Sequence, residues 1–568
     1  MFKRFFILVK KYFGLGANNK VLLFHLFFSA TLRNLPLLAL PFITSKIVET
    51  ATDQDFSAAI AWSVGFLICG LAYVALYHYN YVAYKNNSIF IHNKLQQLVF
   101  NKVSTYDENF SKELSTPFIV NSAYNDLGYL HQVPDQAFDT VVATINIVVA
   151  IVILLIANPI VGIPALLLSL FSFYLVARNL EKKEISLAGQ RRHQDNIAGL
   201  MGQVIDGNKE IKSFNMEDDL GNYLESYKKD WRKDYFNKRK YNDNSEVLVP
   251  MLLGFGKIAI YLIVIYLVLQ GSYDVAFLVL VIGYYENIEN EFWNFYCRLN
   301  NLSSNTTRVD RVHKVLNYRT KNMLNFGDNN DDSIAGKIEF KNVSFTYEEQ
   351  EVMKDVSFVI RPHSFTVVAG KSGSGKSTIF RLLLRLYKAN HGEILLDETD
   401  IYDYSKEVYA SNVSIVTQKP FIFDMSIREN LNLVDSNFKN QVEACKRAGI
   451  HDFIMNLKDG YNTKLLRDAE NLSAGQKQLL ALARTLLSKS EVLLFDEVTS
   501  SLDLETSKRI INILKGLKKD HTILMITHKP QLMKLADEIL MIDHGHLVGR
   551  GTHKELIKKN KYYQLLQK

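Results

Sequence analysis

The sequence predicts two domains of different class: an all-α membrane domain of six helices, followed by an α/β domain. Three observations indicate this. The chain has 568 residues, which exceeds the ~250 to 300 residues at which a single hydrophobic core stops growing. Hydrophobic residues make up 48% of the sequence and charged residues only 22%, a balance typical of a chain that lies partly in lipid. Apolar segments long enough to span a bilayer are confined to the first 300 residues.

Composition excludes several other classes of protein. Aromatic residues reach 12%, and there are only 28 glycines and 10 prolines, which argues against disordered and collagen-like chains. A net charge of +7 is small for this length and fits cytoplasmic loops facing anionic lipid better than a nucleic-acid-binding face. Cys69, Cys297 and Cys445 are too far apart in sequence for a metal cluster or a disulfide framework. We therefore expect no nucleic-acid partner and a reduced, cytosol-facing environment.

Six segments are long and apolar enough to cross ~30 Å of hydrocarbon. They are residues 21–40, 58–77, 140–157, 160–177, 247–269 and 273–295. The third and fourth segments contain no charged residue and are separated only by Asn158 and Pro159, which predicts a tight helical hairpin. Lys and Arg are concentrated in residues 1–20 and 178–240, and because such segments stay in the cytoplasm, the N-terminus is predicted to be inside.

The remaining segments divide the chain. Residues 1–20 combine apolar and basic side chains, which predicts an amphipathic segment at the membrane interface. Residues 325–333 are polar and have no apolar period, which is typical of a linker. The predicted organisation is an interfacial segment at 1–20, a six-span domain with two long cytoplasmic helical loops at 21–324, a linker at 325–336 and a second domain at 337–568.

Beyond the linker, short β-rich runs alternate with helical segments. The runs are residues 364–369, 413–416, 492–495 and 522–526. This alternation is typical of an α/β domain with a largely parallel sheet.

Residues 370–378 have the sequence GKSGSGKST, between an apolar strand and a helical run. This is a complete phosphate-binding loop, or P-loop, in which glycines let backbone N–H groups converge on phosphate. Lys376 is predicted to reach the β and γ oxygens and Ser377 to ligate Mg²⁺. The predicted nucleotide contacts in this loop are Gly370, Gly373, Ser374, Gly375, Lys376, Ser377 and Thr378.

A second apolar strand, 492–495, ends in Asp496 and Glu497. Asp496 is predicted to hold Mg²⁺ and Glu497 to orient the attacking water. Acidic residues at strand ends are common, but with the P-loop in the same domain the pair indicates a P-loop ATPase that uses ATP and Mg²⁺.

At residues 472–476 the sequence LSAGQ resembles the signature motif of ABC ATPases, and Lys477, Gln478 and Arg484 match the way that helix continues. The resemblance implies that Ser473, Gly475 and Gln476 face the γ-phosphate of nucleotide held by the opposite subunit of a dimer. A helix N-terminus and a hydroxyl are suited to that anion.

Other motifs of the family occur in the expected order. Tyr347 resembles the aromatic residue that stacks on adenine, and His528 resembles the switch histidine that contacts the γ-phosphate. Gln418 resembles the residue that links the γ-phosphate and Mg²⁺ to the membrane domain, and Ser501-Leu502-Asp503 the turn that contacts the other subunit. Taken singly, Tyr347 and His528 would be read as ordinary packing or surface residues; the order of the motifs favours the functional reading.

The resemblance covers the whole chain, which is similar to an ABC half-transporter of the exporter type. It implies a multi-pass protein of the cell membrane, expected to be the bacterial plasma membrane, with its ATPase domain in the cytoplasm. A second copy or a related half-transporter would complete a dimer that moves an amphipathic, peptidic or lipid-like substrate outward by alternating access. An importer of the same architecture and an ATP-gated regulator or channel are the alternatives.

The sequence departs from the family pattern at several positions. Ala474 replaces the usual glycine of the signature, which limits backbone freedom at positive φ. Arg467-Asp468-Ala469 stand where Glu-Arg-Gly is usual, and Pro117 and Ser122 replace a glycine and an arginine in the first cytoplasmic loop. Those positions contact coupling helices in the family, so the departures bear on coupling and on homodimer formation.

The sixth span carries Glu286, Glu289 and Asn290 on one helix face, while Glu291 points away. Ionisable groups at membrane depth are costly and usually pair or line a cavity. One interpretation is an internal ion pair with Arg33 or Lys257, and another is contact with an amphipathic or cationic substrate. In a third interpretation, these residues lie in the part of the helix that extends beyond the membrane into the cytoplasm.

Overall fold

The computed structural model of the chain divides into two compact units, Met1–Arg319 and Thr320–Lys568. The structure describes residues 2–105, 110–114, 116–318, 326–347, 349–500 and 502–566. Asn325, where the predicted linker begins, lies outside these residues. The rest of that linker is held against the second unit, where the N–H groups of Gly327 and Asn329 donate to the carbonyls of Tyr402 and Asp403 at 2.9 and 3.1 Å.

The described part of the first unit contains helices and no strand. The helices are α1 (Phe2–Phe13), α2 (Lys20–Thr52), α3 (Phe56–Val103), α4 (Phe110–Glu113), α5 (Thr116–Val120), a π-helix (Asn121–Asp126), α6 (Leu127–Leu130), α7 (Val133–Ala157), α8 (Pro159–Asp206), α9 (Asn208–Phe214), α10 (Glu217–Leu269) and α11 (Val275–Leu316).

Within the described residues, five helical segments are long and apolar enough to cross a membrane: α2, α3, the run from α5 to α7, α8 and α10. Helix α11, which contains the sixth predicted span, is not one of them, because Glu286, Glu289 and Glu291 fall within its first eighteen residues. The predicted class of a helical membrane domain is confirmed.

The hairpin between α7 and α8 follows from two residues. Asn158 Oδ1 accepts a hydrogen bond from the N–H of Ile160 at 2.8 Å, which caps the start of α8. Pro159 occupies the first helical position, where its missing N–H needs no partner. The Nδ2 group of Asn158 also donates to the hydroxyl of Tyr273 at 3.0 Å, so the turn is fixed to the chain just before α11.

The apolar core of the first unit lies where α7, α8, α10 and α11 meet. Ile147, Val161, Val264 and Ile288 are at most 1% exposed in this cluster. The apolar part of α3, in contrast, has no buried residue. Its uncovered apolar surface is of the kind that lipid or another chain must cover.

Lys257 bridges the two carboxylates of the sixth-span helix. Its Nζ atom lies 3.0 Å from Glu286 Oε1 and 3.5 Å from Glu289 Oε2. Glu291 faces another neighbour, since its Oε1 atom accepts a hydrogen bond from Asn146 at 3.1 Å. The ion-pair interpretation is therefore confirmed for Lys257.

The alternative partner, Arg33, was a wrong prediction. Its Nη2 atom lies 3.0 Å from Asp139 Oδ1, and its Nη1 atom donates to Asn80 at 2.8 Å. Asp139 is only 5% exposed and also lies 2.8 Å from Arg298 Nη1. Arg33 therefore has a nearer carboxylate, just outside the predicted third span.

The second unit combines strands and helices. Its strands are β1 (Ile338–Tyr347), β2 (Gln350–Ile360), β3 (Phe365–Ala369), β4 (His391–Leu396), β5 (Thr399–Asp400), β6 (Val413–Val416), β7 (Val492–Asp496), β8 (Thr522–Ile526), β9 (Glu538–Asp543) and β10 (His546–Gly551). Its helices are α12 (Lys376–Leu383), α13 (Lys406–Asn412), α14 (Ile427–Asn432), α15 (Phe438–Arg447), α16 (His451–Met455), α17 (Ala474–Leu487), α18 (Leu504–Leu517), α19 (Pro530–Met533), α20 (His553–Lys559) and α21 (Lys561–Leu566), with short 3₁₀ turns at Gly460–Asn462 and Arg467–Ala469.

Where the chain is described, these strands form two sheets. The larger has the order β10-β9-β3-β8-β7-β6, and all its neighbours are parallel except the β10–β9 pair at one edge. The smaller is antiparallel, with the order β2-β1-β4-β5. The predicted α/β class with a largely parallel sheet is confirmed.

The larger sheet positions the chemistry. Strands β3, β8 and β7 are adjacent and parallel, and every residue of β3 and β8 is buried. Their carboxyl ends therefore meet at one edge, the usual location of a ligand in an open α/β sheet. The P-loop follows β3, Asp496 is the last residue of β7 with Glu497 directly after it, and His528 follows β8.

Candidate nucleotide-binding site

The P-loop connects β3 to α12 through left-handed glycines. Gly373 has a φ of +79° and Gly375 a φ of +104°, conformations that favour glycine. A Cβ atom on Gly375 would also lie 3.0 Å from the carbonyl oxygen of Val352. No side chain caps α12, so the N–H groups at its start are available to an anion.

Around this loop lies an open cleft of about 210 Å³. Its lining residues are Val352, Ser372, Gly373, Gly375, Lys376, Ser377, Thr378, Glu497, Ile526 and His528. The structure thus brings together most of the predicted loop contacts with Glu497 and His528. Gly370 and Ser374 do not belong to the lining, and the buried Ser374 hydroxyl has no hydrogen-bond partner among the described residues.

Lys376 is folded back on its own loop. Its Nζ atom donates to the carbonyls of Gly370 and Lys371 at 2.8 and 2.6 Å. Burial lowers the pKa of Lys376, against the opposing charges of Glu497 and Asp496. An ammonium group that donates to neutral carbonyls is suited to exchange them for phosphate oxygens.

Asp496 and Glu497 differ in their surroundings. Burial raises the pKa of Asp496, and the adjacent Glu497 charge raises it further, while Arg381 and Lys376 oppose the change. Glu497 has a φ of +44°, and its N–H donates to the carbonyl of Ile526 at 3.0 Å. Glu497 lines the cleft, and Asp496 does not belong to that lining.

Two polar side chains contact the two carboxylate oxygens of Glu497. His528 Nε2 lies 3.4 Å from Glu497 Oε1, and Gln418 Nε2 donates to Glu497 Oε2 at 3.4 Å. Burial lowers the pKa of His528, and so does the charge of Lys376, although Glu497 opposes them. The other two predicted catalytic residues are therefore within reach of Glu497, and Gln418 Nε2 also donates to the hydroxyl of Ser500 at 3.1 Å.

Tyr347 lies at the end of β1, beside the P-loop helix. Its hydroxyl is 3.4 Å from Thr378 Oγ1 and accepts a hydrogen bond from Arg381 at 3.1 Å. Its ring meets Tyr387 edge-on, with 5.1 Å between the ring centres. Tyr347 is half-buried, so the adenine contact predicted for it stays a prediction.

The signature residues lie at the start of α17, outside the lining of the cleft. Ser473 and Gln476 form a reciprocal cap, in which each side chain accepts a hydrogen bond from the other residue's N–H, at 3.2 and 2.8 Å. Gly475 is closely packed, since a Cβ atom there would lie 2.9 Å from Thr506. Ser473 itself is exposed, so another molecule can contact its hydroxyl.

The departures from the family pattern have different structural consequences. Ala474 has no positive φ and begins the helix, so a side chain there is accommodated. Asp468 and Ala469 do adopt positive φ, +53° and +50°. Lys477 donates to the carbonyl of Asp468 at 2.6 Å and holds that turn against α17.

Sequence reasoning missed the links between these motifs. Gln478 Nε2 donates to the carbonyls of Thr417 and Gln418 at 3.1 and 2.7 Å, which connects α17 to the segment that contacts Glu497. No sequence spacing predicts this contact. In the predicted dimer turn, Ser501 lies outside the described residues, and Asp503 caps α18 by accepting from the N–H of Thr506 at 2.9 Å.

The residues present fit Mg²⁺. No group of three His, Cys, Asp or Glu side chains suitable for a metal occurs in the described ranges, but Mg²⁺ in such sites is held by one or two protein oxygens together with phosphates. Asp496 and Glu497 place two carboxylates side by side, and a divalent cation relieves that repulsion. Ser377 lines the cleft and supplies a hydroxyl.

The fold and the cleft together define a P-loop ATPase fused to a helical membrane domain. Comparison with known families agrees. The model of the ABC transporter transmembrane region matches residues 23–287, and the ABC transporter model, which describes the ATPase, matches residues 353–500. The chain belongs to the ABC transporter family.

Individual relatives cover most of the chain. A Bacillus subtilis protein, provisionally named a multidrug export ATP-binding/permease protein, is 26% identical over 550 residues, or 93% of each chain. A Staphylococcus aureus protein with the same provisional description is 29% identical over 409 residues, which is 71% of this chain and 69% of that protein. The solved structure of a bacterial Atm1-family ABC exporter with ATP bound is similar in fold, with a TM-score of 0.85, 21% identity and coverage of 95% and 96% of the two chains.

The chain is thus a multi-pass membrane protein that binds nucleotide and couples ATP hydrolysis to transmembrane transport. Its fold is that of an ABC exporter.

Proposed function

We propose that the protein is an ATP-driven exporter that acts as a dimer on an amphipathic, peptidic or lipid-like substrate. One observation carries the dimer. The nucleotide cleft is lined by the P-loop, Glu497 and His528, whereas Ser473 is exposed and lies outside the lining. A second subunit, either another copy or a related half-transporter, supplies its own Ser473 to complete the site.

The first turn of α17 is suited to contact with nucleotide bound to the other subunit. Its capping box orders the Ser473 backbone and the first turn of the helix, and the partial positive charge of a helix N-terminus favours phosphate. Each nucleotide would contact the P-loop of one subunit and Ser473 of the other. Nucleotide bound between the two chains therefore stabilises the closed dimer. Closure and release then turn the membrane cavity outward and reset it.

In the proposed mechanism each residue has a separate task. Lys376 exchanges its two carbonyl partners for phosphate oxygens, Glu497 orients the attacking water, and His528 holds the γ-phosphate geometry. Gln418 keeps Glu497 aligned through their hydrogen bond. Ser377, Asp496 and Gln418 would hold Mg²⁺, which would neutralise part of the phosphate charge.

The membrane unit supports a substrate site near the sixth span. A cavity of about 240 Å³ lies between α10 and α11, and its lining includes Glu289, Asn290, Trp293 and Tyr296. One carboxylate among aromatic rings is suited to an amphipathic molecule that carries positive charge. Lys257 offsets part of the acidic charge, so a neutral amphipathic molecule also fits.

Export, rather than import or gating, agrees with the names of the bacterial relatives, which include multidrug export. The bacterial relatives also favour the bacterial plasma membrane, with the ATPase unit in the cytoplasm. Stimulation of ATP hydrolysis tests the substrate class: purified protein in vesicles is challenged with lipids, peptides, cationic drugs and metal chelates. We expect amphipathic compounds to stimulate; stimulation by metal chelates alone would reject the proposed class.

A further inference from the structure

A polar cavity of about 290 Å³ lies between α8, α10 and α11 of the membrane unit. Three cations and three amides are prominent in its lining: Lys183, Lys238, Arg239, Asn242, Asn300 and Asn301. No described carboxylate belongs to that lining. The transport cycle proposed above assigns no task to these residues.

Lys238 is the cation without a counter-charge. It is half-buried and makes no ion pair or hydrogen bond with a described residue. Burial lowers the pKa of Lys238, as do the charges of Arg191 and Arg308. Arg239, in contrast, is exposed and pairs with Asp243 at 2.8 Å. An anion in the cavity would compensate the ammonium group of Lys238, which is unfavourable when half-buried and unpaired.

The rest of the lining offers further polar contacts. Lys183 is 5% exposed, and its Nζ atom donates to Asn242 Oδ1 at 3.1 Å. The side-chain oxygen of Asn300 is buried and has no donor among the described residues. A ligand that carries a hydroxyl group beside its negative charge would satisfy this oxygen as well.

The predicted spans give the position of the cavity relative to the membrane. Lys183 follows the fourth predicted span by six residues, Asn242 precedes the fifth by five, and Asn300 follows the sixth by five. At 1.5 Å per residue these positions lie about 8 to 9 Å beyond the apolar spans. The headgroup layer on each side of the hydrocarbon is about 5 to 8 Å thick. The cavity therefore lies at the cytoplasmic edge of the headgroup layer.

The side of the cavity towards the apolar spans carries aliphatic side chains. A small adjoining pocket shares Lys183 and Asn300 with it, and Val176, Leu180 and Leu299 line this pocket together with Asn179, Tyr241, Ser245 and Tyr296. The cations and amides of the cavity are suited to a charged headgroup, and the aliphatic side chains beside them are suited to the start of its apolar tail.

We propose that this cavity binds a hydroxylated organic phosphate of the glycerol-phosphate type, with Lys238 as its main cationic contact. Two sources carry this group. One is the headgroup of phosphatidylglycerol in the cytoplasmic leaflet, and the other is soluble glycerol 3-phosphate. The site lies in the membrane unit and is distinct from the nucleotide cleft.

The test uses the full-length protein in nanodiscs of phosphatidylcholine containing a minor fraction of phosphatidylglycerol. Native mass spectrometry measures the retained phosphatidylglycerol. Lys238→Gln should weaken retention about fivefold, the effect of one cation near a headgroup. Lys238→Arg should keep it. Lys240→Gln is the matched control, since it removes the same charge two residues along α10 from an exposed position outside the lining.

A second arm distinguishes the sources. Radiolabelled glycerol 3-phosphate is dialysed against the protein in pure phosphatidylcholine nanodiscs. Lys238-dependent binding in this arm identifies the soluble ligand, and Lys238-dependent retention in the first arm alone identifies the lipid. Basal ATP hydrolysis by each variant verifies that it is folded. The proposal is wrong if neither arm shows saturable binding, or if Lys240→Gln reduces binding as much as Lys238→Gln does.

Discussion

Glu497 lies where the P-loop, the Gln418 segment and the strand preceding His528 meet. Its two oxygens are contacted separately by His528 and Gln418, and its N–H is bound to the strand β8 that precedes His528. The contacts that hold this carboxylate come from His528, Gln418 and β8, whereas the P-loop residues that are predicted to bind most of the phosphate oxygens do not hold it. Binding and hydrolysis should then depend on different residues.

We predict that Glu497→Gln binds MgATP nearly normally and hydrolyses it about 10²- to 10³-fold more slowly, the usual cost of losing a positioned base. Nucleotide binding and steady-state hydrolysis by the purified protein check this. Glu443→Gln, an exposed change on α15, is the matched control and should retain full activity. Near-normal turnover of Glu497→Gln would show that another residue orients the water.

The two carboxylates bound to Lys257 provide a comparison within the membrane unit. Glu289 lines the cavity between α10 and α11 and Glu286 does not, although both contact the same ammonium group. We predict that Glu289→Gln shifts the substrate concentration needed for half-maximal ATPase stimulation, by about threefold to tenfold for a lost charge contact. Glu286→Gln should leave it unchanged, and basal hydrolysis should hold in both. An equal response of the two variants would reject the pathway role.

Sequence reasoning succeeds where residues act within one short segment. The P-loop and the carboxylates after β7 are of this kind, because the strand, turn and helix that position them are local. Sequence reasoning fails where an ion pair or hydrogen bond joins residues from distant segments of the chain. Lys257 reaches the sixth-span carboxylates and Arg33 reaches Asp139 instead, since depth in the membrane was predictable but the rotation of each helix was not.

At the scale of elements, helix α17 has two roles that can be separated. Ser473 caps it and is also predicted to contact nucleotide. Ser426 caps α14 with the same type of capping box, but it is buried and is not predicted to contact nucleotide. Each serine to alanine change should cost about 1 kcal/mol of stability, or ~2 to 4 °C in Tm for a domain of this size.

Only one of the two variants should lose activity. We predict that Ser473→Ala lowers ATP hydrolysis about tenfold, because a hydrogen bond to a charged group is lost, whereas Ser426→Ala keeps it. Thermal unfolding and ATPase assays on the full-length variants check both points. If the two variants lost similar activity for a similar fall in Tm, the effect of Ser473 would be explained by capping alone.

Most elements were predictable because their signals are local. Strands β6 and β8 have the predicted bounds, β3 begins one residue later at Phe365 and β7 extends one residue to Asp496. The positive φ of Asp468 and Ala469 was not predictable, since neither residue favours it as glycine does. Their turn is held by Lys477, a contact that depends on how the turn packs against α17.

For the whole molecule, the composite site makes a prediction about mixed pairs. A chain with Lys376→Ala has an intact signature, and a chain with Ser473→Asp has an intact P-loop while its new charge repels phosphate and still caps α17. A mixed dimer contains one site with both defects and one site with none. Mixed pairs isolated through two different affinity tags should recover up to about half of the wild-type ATP hydrolysis, whereas each variant alone stays inactive. Mixed pairs as inactive as the single variants would show that each chain completes its own site.

The central claim is that hydrolysis at the Lys376 and Glu497 site drives an amphipathic substrate out of the cytoplasm. Transport of a fluorescent amphipathic cation into inside-out membrane vesicles tests it most directly, because the ATPase unit then faces the medium. The account predicts MgATP-dependent accumulation in vesicles with the wild-type chain and none with Glu497→Gln at equal protein level. ATP-dependent loss of preloaded cation from the same vesicles, or accumulation that Glu497→Gln leaves intact, would contradict it.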